Sequence, residues 1–79
     1  MPTVLRSGPY RFFFFSNETN ETPHIHVEAA DAYAKFWLKP VGLVYSSRFP
    51  AGRLTEIRKL VEENKNIFVE KWHEYFGKT

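Results

Sequence analysis

The spacing of apolar residues changes part-way along the chain. Between residues 3 and 38, short runs of β-favouring residues alternate with turn formers, and the clearest run alternates polar with apolar positions. From residue 51 onward, apolar residues recur every three or four positions, which predicts an amphipathic helix. The pattern therefore predicts an α+β fold in which an antiparallel sheet packs against a C-terminal helix.

The sheet is predicted to be a β-meander of about four strands over residues 3–45. His24–Ala29 is the clearest strand, because its polar and apolar residues alternate strictly. Residues 16–23 hold no large apolar side chain and are expected to form an exposed loop. Residues 41–49 fit either a fifth strand or an extended crossover along the sheet. The four predicted strands are residues 3–6, 10–15, 24–29 and 33–38.

One long amphipathic helix is predicted over about residues 51–76. Pro50 stands where a helix start tolerates proline, and Gly77 stands where helices commonly end. Asn64 interrupts the apolar stripe, which indicates either a break into two helices or a hydrogen bond to the sheet or to a partner. The stripe consists of Leu54, Ile57, Leu60, Val61, Phe68, Trp72, Tyr75 and Phe76.

Size and composition limit the possible classes of protein. The 79 residues allow one core, so we expect a single domain over residues 1–79. The absence of cysteine excludes a disulfide framework and a thiolate zinc site. No apolar stretch is long enough for a signal peptide or a membrane span, so we expect a cytoplasmic protein without membrane contact. A net charge of +2, with the two signs interspersed, permits nucleic-acid binding without arguing for it.

The segment His24-Ile25-His26 is the first candidate for chemistry. Residues two apart on a strand share a face, so the two imidazoles should stand side by side, with Glu28 continuing the row. An exposed pair that solvates the sheet, an acid and base acting on a phosphodiester, and a metal site all fit this arrangement. The further metal ligands would be Glu18, Glu28 or His73.

For the acid–base interpretation, we predict His24 and His26 as the catalytic residues, with no metal and no cofactor. Three basic side chains would assist these two histidines: two lie early in the predicted sheet, and one lies in the last helical turn. His73 also fits a plain C-terminal helix residue, since the helix dipole favours a cation there. The supporting residues are Arg6, Arg11 and His73.

The second face of the sheet is the other candidate site. Aromatic residues make 18% of the chain, and one helix can cover only one sheet face. The remaining face should present Phe13, Lys35 and Trp37, a mixture that suits stacking on RNA bases or binding to a protein. We favour a protein interface, because an uncovered aromatic face on a small domain promotes aggregation. A homodimer with these rings in its interface would cover them.

Five ordered motifs resemble the bacterial domain-of-unknown-function family 4160. The resemblance covers nearly the whole chain, from Met1 to Gly77. It implies membership of a small two-gene cassette of the toxin–antitoxin kind, with a cognate small protein encoded by the neighbouring gene. The motifs are Met1–Arg6, Tyr10–Phe14, Pro23–Val27, Ala34–Leu38 and Trp72–Phe76, and the family's recurrent positions retained here are Arg6, His24, His26, Trp72 and Tyr75.

Two hypotheses about function follow from the residues and the resemblance together. In the first, the chain is a metal-independent ribonuclease toxin in which His24 and His26 act as acid and base. Arg6, Arg11 or Lys35 would then hold the phosphate of the RNA. In the alternative, the chain is a non-catalytic interaction or regulatory module that binds its cognate partner through the aromatic sheet face.

Overall fold

The computed structural model describes residues 3–15 and 21–77, and within them it contains one five-stranded sheet and two helices. The α+β class predicted from the sequence is confirmed. Residues 16–20 of the predicted loop, with Glu18 among them, lie outside the described residues. The elements are β1 (Thr3–Ser7), β2 (Tyr10–Phe13), β3 (His24–Ala29), β4 (Ala32–Leu38), β5 (Val41–Ser47), α1 (Ala51–Glu63) and α2 (Lys65–Phe76).

The sheet is a meander in which each strand pairs antiparallel with the next one along the chain. The prediction of about four strands was wrong, because residues 41–47 form a fifth strand that pairs with β4 along its whole length. Lys35 lies opposite Tyr45 and Phe36 opposite Leu43, so Val44 is an extra residue in β5. Such a bulge breaks the alternation of side chains, so the β5 sequence lacks the regular period of two that predicts a strand.

The prediction of one long helix was also wrong, because the helix breaks at Asn64. The Asn64 side chain donates a hydrogen bond to the Leu60 carbonyl of its own helix, with Nδ2 2.8 Å from the oxygen. Asn64 has φ −108° and ψ 12°, away from helical values. The break lets α1 pack against β5 while α2 packs against β3 and β4. Gly77, with φ 83°, follows the end of α2 as predicted.

The core lies between the two helices and one face of the sheet, which we call the helix face. Aromatic rings fill much of it: Phe12 packs against Phe68 at 5.3 Å between ring centroids, and Phe14 against Trp72 at 5.2 Å. Tyr75, which the helical stripe placed in the core, is instead 46% exposed. The buried core residues are Tyr10, Phe12, Phe14, Ile25, Val27, Ala34, Phe36, Leu38, Ile57, Val61, Phe68 and Trp72.

A buried tyrosine links the sheet to the start of α1. The Tyr10 hydroxyl donates to the Glu56 carboxylate at 2.5 Å and accepts a hydrogen bond from the Arg53 guanidinium at 3.1 Å. Burial and the Glu56 carboxylate raise the pKa of Tyr10 above its ordinary value of 10.0. The sequence pattern gave no sign of this contact, because the partners are more than 40 residues apart.

Candidate functional site

The predicted site residues of the sheet meet on its second face, which we call the far face because it points away from the helix face. The strand register sets Phe13 opposite His26, His26 opposite Lys35, and His24 opposite Trp37. Directly opposed residues share a face of the sheet, so these side chains are neighbours. The structure therefore brings together both predicted catalytic histidines and all three predicted binding residues.

His24 occupies the end of β3 and is fully buried, with 0% of its surface exposed. Its Nδ1 lies 2.8 Å from the Thr22 carbonyl oxygen. Since a carbonyl can only accept, Nδ1 carries the proton and donates it. The His24 ring also lies 4.9 Å from the Trp72 ring and 5.8 Å from the Trp37 ring, so it packs between the end of α2 and β4.

His26 is buried among aromatic rings and is 2% exposed. Phe13 stacks on one side at 5.4 Å, Tyr33 lies at 5.8 Å with its ring nearly parallel, and Phe15 meets the imidazole edge-on at 4.5 Å. His26 Nδ1 lies 2.7 Å from the Tyr33 hydroxyl, which is hydrogen-bond distance. The two imidazoles are 5.0 Å apart and nearly perpendicular.

Two expectations about exposure were wrong. The interpretation of His24 and His26 as a partly exposed pair fails, because both imidazoles are enclosed by rings. Phe13, predicted as an exposed binding residue, is only 2% exposed. The alternation pattern placed these residues on the correct face, but it could not show that Phe15 and Tyr33 pack beside them.

The predicted supporting residues lie in different places. Arg6 is exposed on β1 opposite Arg11. The Arg11 guanidinium lies 2.9 Å from the Glu28 carboxylate and 4.5 Å from the centroid of the Phe13 ring. Arg11 is thus part of the far face, next to Phe13.

His73 lies on the helix side of the molecule, one residue after Trp72. Within the described residues, the structure gives no hydrogen bond or ring contact between His73 and either strand histidine. His73 Nδ1 is buried and has no hydrogen-bond partner among those residues. The structure therefore does not bring His73 into the far-face cluster.

The half of the far face formed by β4 and β5 is more exposed than the half formed by β2 and β3. We call its four side chains, Tyr33, Lys35, Trp37 and Tyr45, the aromatic patch. Tyr45 is 56% exposed and lies 5.8 Å from the Tyr33 ring. Lys35 Nζ lies 5.1 Å from the centroid of the Trp37 ring and 3.0 Å from the Glu21 carboxylate.

A glycine lies opposite the tryptophan of the aromatic patch. Gly42 pairs with Trp37, and a Cβ added at Gly42 would meet nothing within 4 Å. The sequence pattern did not reveal that Tyr45 and Gly42 belong to this face, because residues 41–49 fitted either a strand or a crossover. The alternation of β4 carried the signal for Lys35 and Trp37.

Neither a metal site nor a membrane span emerges from the described part of the chain. No group of three or more His, Asp or Glu side chains within residues 3–15 and 21–77 could hold a metal ion. Glu18, one of the proposed ligands, lies outside those ranges. Of the helices that the structure describes, none is long and apolar enough to cross a membrane.

Comparison with known proteins identifies the family. A model of a domain of unknown function, DUF4160, matches residues 10–73. The chain belongs to this family. The matched part of the DUF4160 domain begins at β2 and ends in the last turns of α2, so it includes both buried histidines and the whole aromatic patch. No curated protein matches the chain, and no solved structure matches it.

Proposed function

We propose that this DUF4160 domain is a non-catalytic protein-binding module of a two-gene, toxin–antitoxin-like cassette. The aromatic patch binds the cognate small protein encoded by the neighbouring gene. The exposure of Tyr45 beside Trp37 and Lys35 supports this function most directly. Tyrosine and tryptophan are among the side chains most enriched at the centres of protein interfaces, while a lysine such as Lys35 belongs to the polar rim.

The charges on the far face favour a protein over RNA. Arg11 and Lys35 are the cations beside the rings, and each lies within 3.0 Å of a carboxylate, from Glu28 and Glu21 respectively. A phosphate would compete with those carboxylates for both cations. Proteins that bind RNA on a sheet face rely instead on cations that are available to the backbone phosphates.

The burial of the histidines favours a structural role for them. An acid or base must come within about 3 Å of the proton that it transfers. His24 and His26 are 0% and 2% exposed, so in this conformation an RNA phosphodiester has no access to either imidazole. The ribonuclease hypothesis stays a prediction, and its test is cleavage of RNA by the purified protein without added metal.

Co-purification with the neighbouring gene product tests the binding function. Tyr45→Ala and Trp37→Ala should each reduce recovery of the partner, because loss of an aromatic anchor commonly weakens binding by about 2 kcal/mol or more. Ile67→Ala is the matched control, since Ile67 is a 47% exposed apolar residue on α2, away from the patch. Equal recovery by wild type, Tyr45→Ala and Trp37→Ala would contradict the proposal.

A further inference from the structure

A row of rings crosses the far face from the buried histidine cluster to the exposed aromatic patch. Between ring centroids, Phe13 lies 5.4 Å from His26, and His26 lies 5.8 Å from Tyr33. Tyr33 in turn lies 5.8 Å from Tyr45. The first two side chains of the row are each 2% exposed, whereas Tyr33 is half-buried and Tyr45 is 56% exposed. The row therefore connects packed rings to a ring on the surface.

A hydrogen bond in the middle of this row fixes the orientation of Tyr33. The Tyr33 hydroxyl oxygen lies 2.7 Å from His26 Nδ1, which is the distance of a well-formed hydrogen bond. Either neutral tautomer of the imidazole can make this bond, because a phenol both donates and accepts. The two rings are also nearly parallel, with 23° between their planes. The bonded hydroxyl and the packed ring together restrict both side-chain torsions of Tyr33.

We propose that His26 is a positioning residue for the aromatic patch. It holds the Tyr33 ring in the orientation that supports Tyr45, the most exposed ring of the patch. This inference rests on the proposed binding function and adds to it the residue that orders the binding surface. The task requires no contact between the imidazole and a ligand, so it is compatible with the burial of His26.

The entropy of binding gives the physical reason for such an arrangement. A side chain that is mobile in the free protein loses conformational freedom when it enters an interface, and this loss weakens binding. Contact with a fixed Tyr33 ring restricts Tyr45 before the partner arrives. Without the hydrogen bond from His26, both tyrosine side chains would have to be ordered on binding. We therefore expect the affinity to fall about three- to tenfold when the bond is removed.

Titration calorimetry with the neighbouring gene product measures this effect. Tyr33→Phe keeps the ring and removes the hydroxyl, so it should bind about three- to tenfold more weakly than the wild type. His26→Phe keeps an aromatic ring in the row and removes Nδ1, so its loss should be similar. Tyr10→Phe is the matched control, because it also removes a hydrogen-bonded phenol but lies in the core on the helix face, and its affinity should be unchanged.

The double variant separates positioning from two independent contacts with the partner. If His26 acts through the Tyr33 hydroxyl, Tyr33→Phe combined with His26→Phe should bind no more weakly than either single variant. Losses that add up in the double variant would overturn the proposal. So would single variants that fold and bind as tightly as the wild type. Urea unfolding checks the folding of each variant, and Tyr33→Phe decides the question if the larger phenyl ring at position 26 prevents folding.

Nuclear magnetic resonance of the free chain tests the positioning without the partner. Nuclear Overhauser contacts between the rings at positions 33 and 45 should be present in the wild type and in Tyr10→Phe, and weaker in Tyr33→Phe and His26→Phe. Unchanged ring contacts in a folded Tyr33→Phe variant would overturn the proposal. A wild type that shows these contacts but binds no neighbouring gene product would contradict the proposed function and not the ordering of the rings by His26.

Discussion

Replacing His24 by alanine tests whether its imidazole is part of the packed structure. The side chain is fully buried between Trp72, Trp37 and His26, so its removal leaves a ring-sized cavity with three aromatic walls. Truncation of a buried ring costs about 3–5 kcal/mol. The hydrogen bond from His24 to the Thr22 carbonyl contributes about 1 kcal/mol to stability. Part of this contribution is already included in the range of about 3–5 kcal/mol for ring truncation.

The expected loss is large for a chain of this size. Domains are stable by about 0.05–0.15 kcal/mol per residue, which gives about 4–12 kcal/mol for 79 residues. The free energy of unfolding of His24→Ala should therefore be about 3–5 kcal/mol lower than that of the wild type. If the wild type lies at the low end of its range, this variant does not fold. His24→Phe keeps an aromatic ring in the site, but phenyl is larger than imidazole and lacks the N–H donor, so we expect a smaller loss of about 1–3 kcal/mol.

Urea denaturation followed by tryptophan fluorescence measures these differences, since Trp72 contacts the His24 ring. Ile67→Ala provides the control at an exposed apolar position and should change stability by about 0.5 kcal/mol or less. If His24→Ala were as stable as Ile67→Ala, the imidazole would not be part of the packed structure. The argument that His24 has a structural role would then be refuted.

Three further predictions concern the fold. Tyr10→Phe should lower the free energy of unfolding by about 1 kcal/mol in urea denaturation, because the Glu56 and Arg53 side chains lose a shared partner. Because the pKa of Tyr10 is raised in the folded chain, the unfolded chain loses the phenol proton at a lower pH than the folded chain does. Wild-type stability should therefore fall as the pH rises past 10, and Tyr10→Phe should lack this part of the pH dependence. Gly77→Ala should lower the melting temperature through a cost of about 1 kcal/mol, since residues with a Cβ rarely adopt φ 83°. The added Cβ would meet no atom within 4 Å, so this cost comes from the backbone alone. A tyrosine variant with wild-type stability at neutral pH, or a glycine variant with an unchanged melting temperature, would contradict the contacts and the backbone geometry described above.

The parts of the fold that could be predicted are those in which side chains follow a regular period. Strict alternation located β3 at its observed limits, and spacings of three and four located the helical region. β5 could not be assigned, because the bulge at Val44 shifts the alternation half-way along the strand. The break at Asn64 was foreseen as one of two alternatives, and its hydrogen bond to the preceding turn could not be distinguished by pattern alone.

The composition of the site was easier to predict than its exposure. Alternation correctly placed His26, Lys35 and Phe13 together on one face. Whether such a face is open depends on side chains that approach from elsewhere, such as Phe15 and Trp72, and this is a property of tertiary packing. The buried cluster around the histidines and the exposed patch at Tyr45 were therefore indistinguishable in the sequence.

The affinity of the chain for the neighbouring gene product tests the central claim most directly. Titration calorimetry should detect binding by the wild type, a loss of about tenfold or more in Tyr45→Ala, and no change in Ile67→Ala. The same preparations incubated with RNA should leave it intact. Wild-type affinity in the Tyr45→Ala variant, or RNA cleavage that is lost in a folded His26 variant, would contradict the account of a binding module with structural histidines.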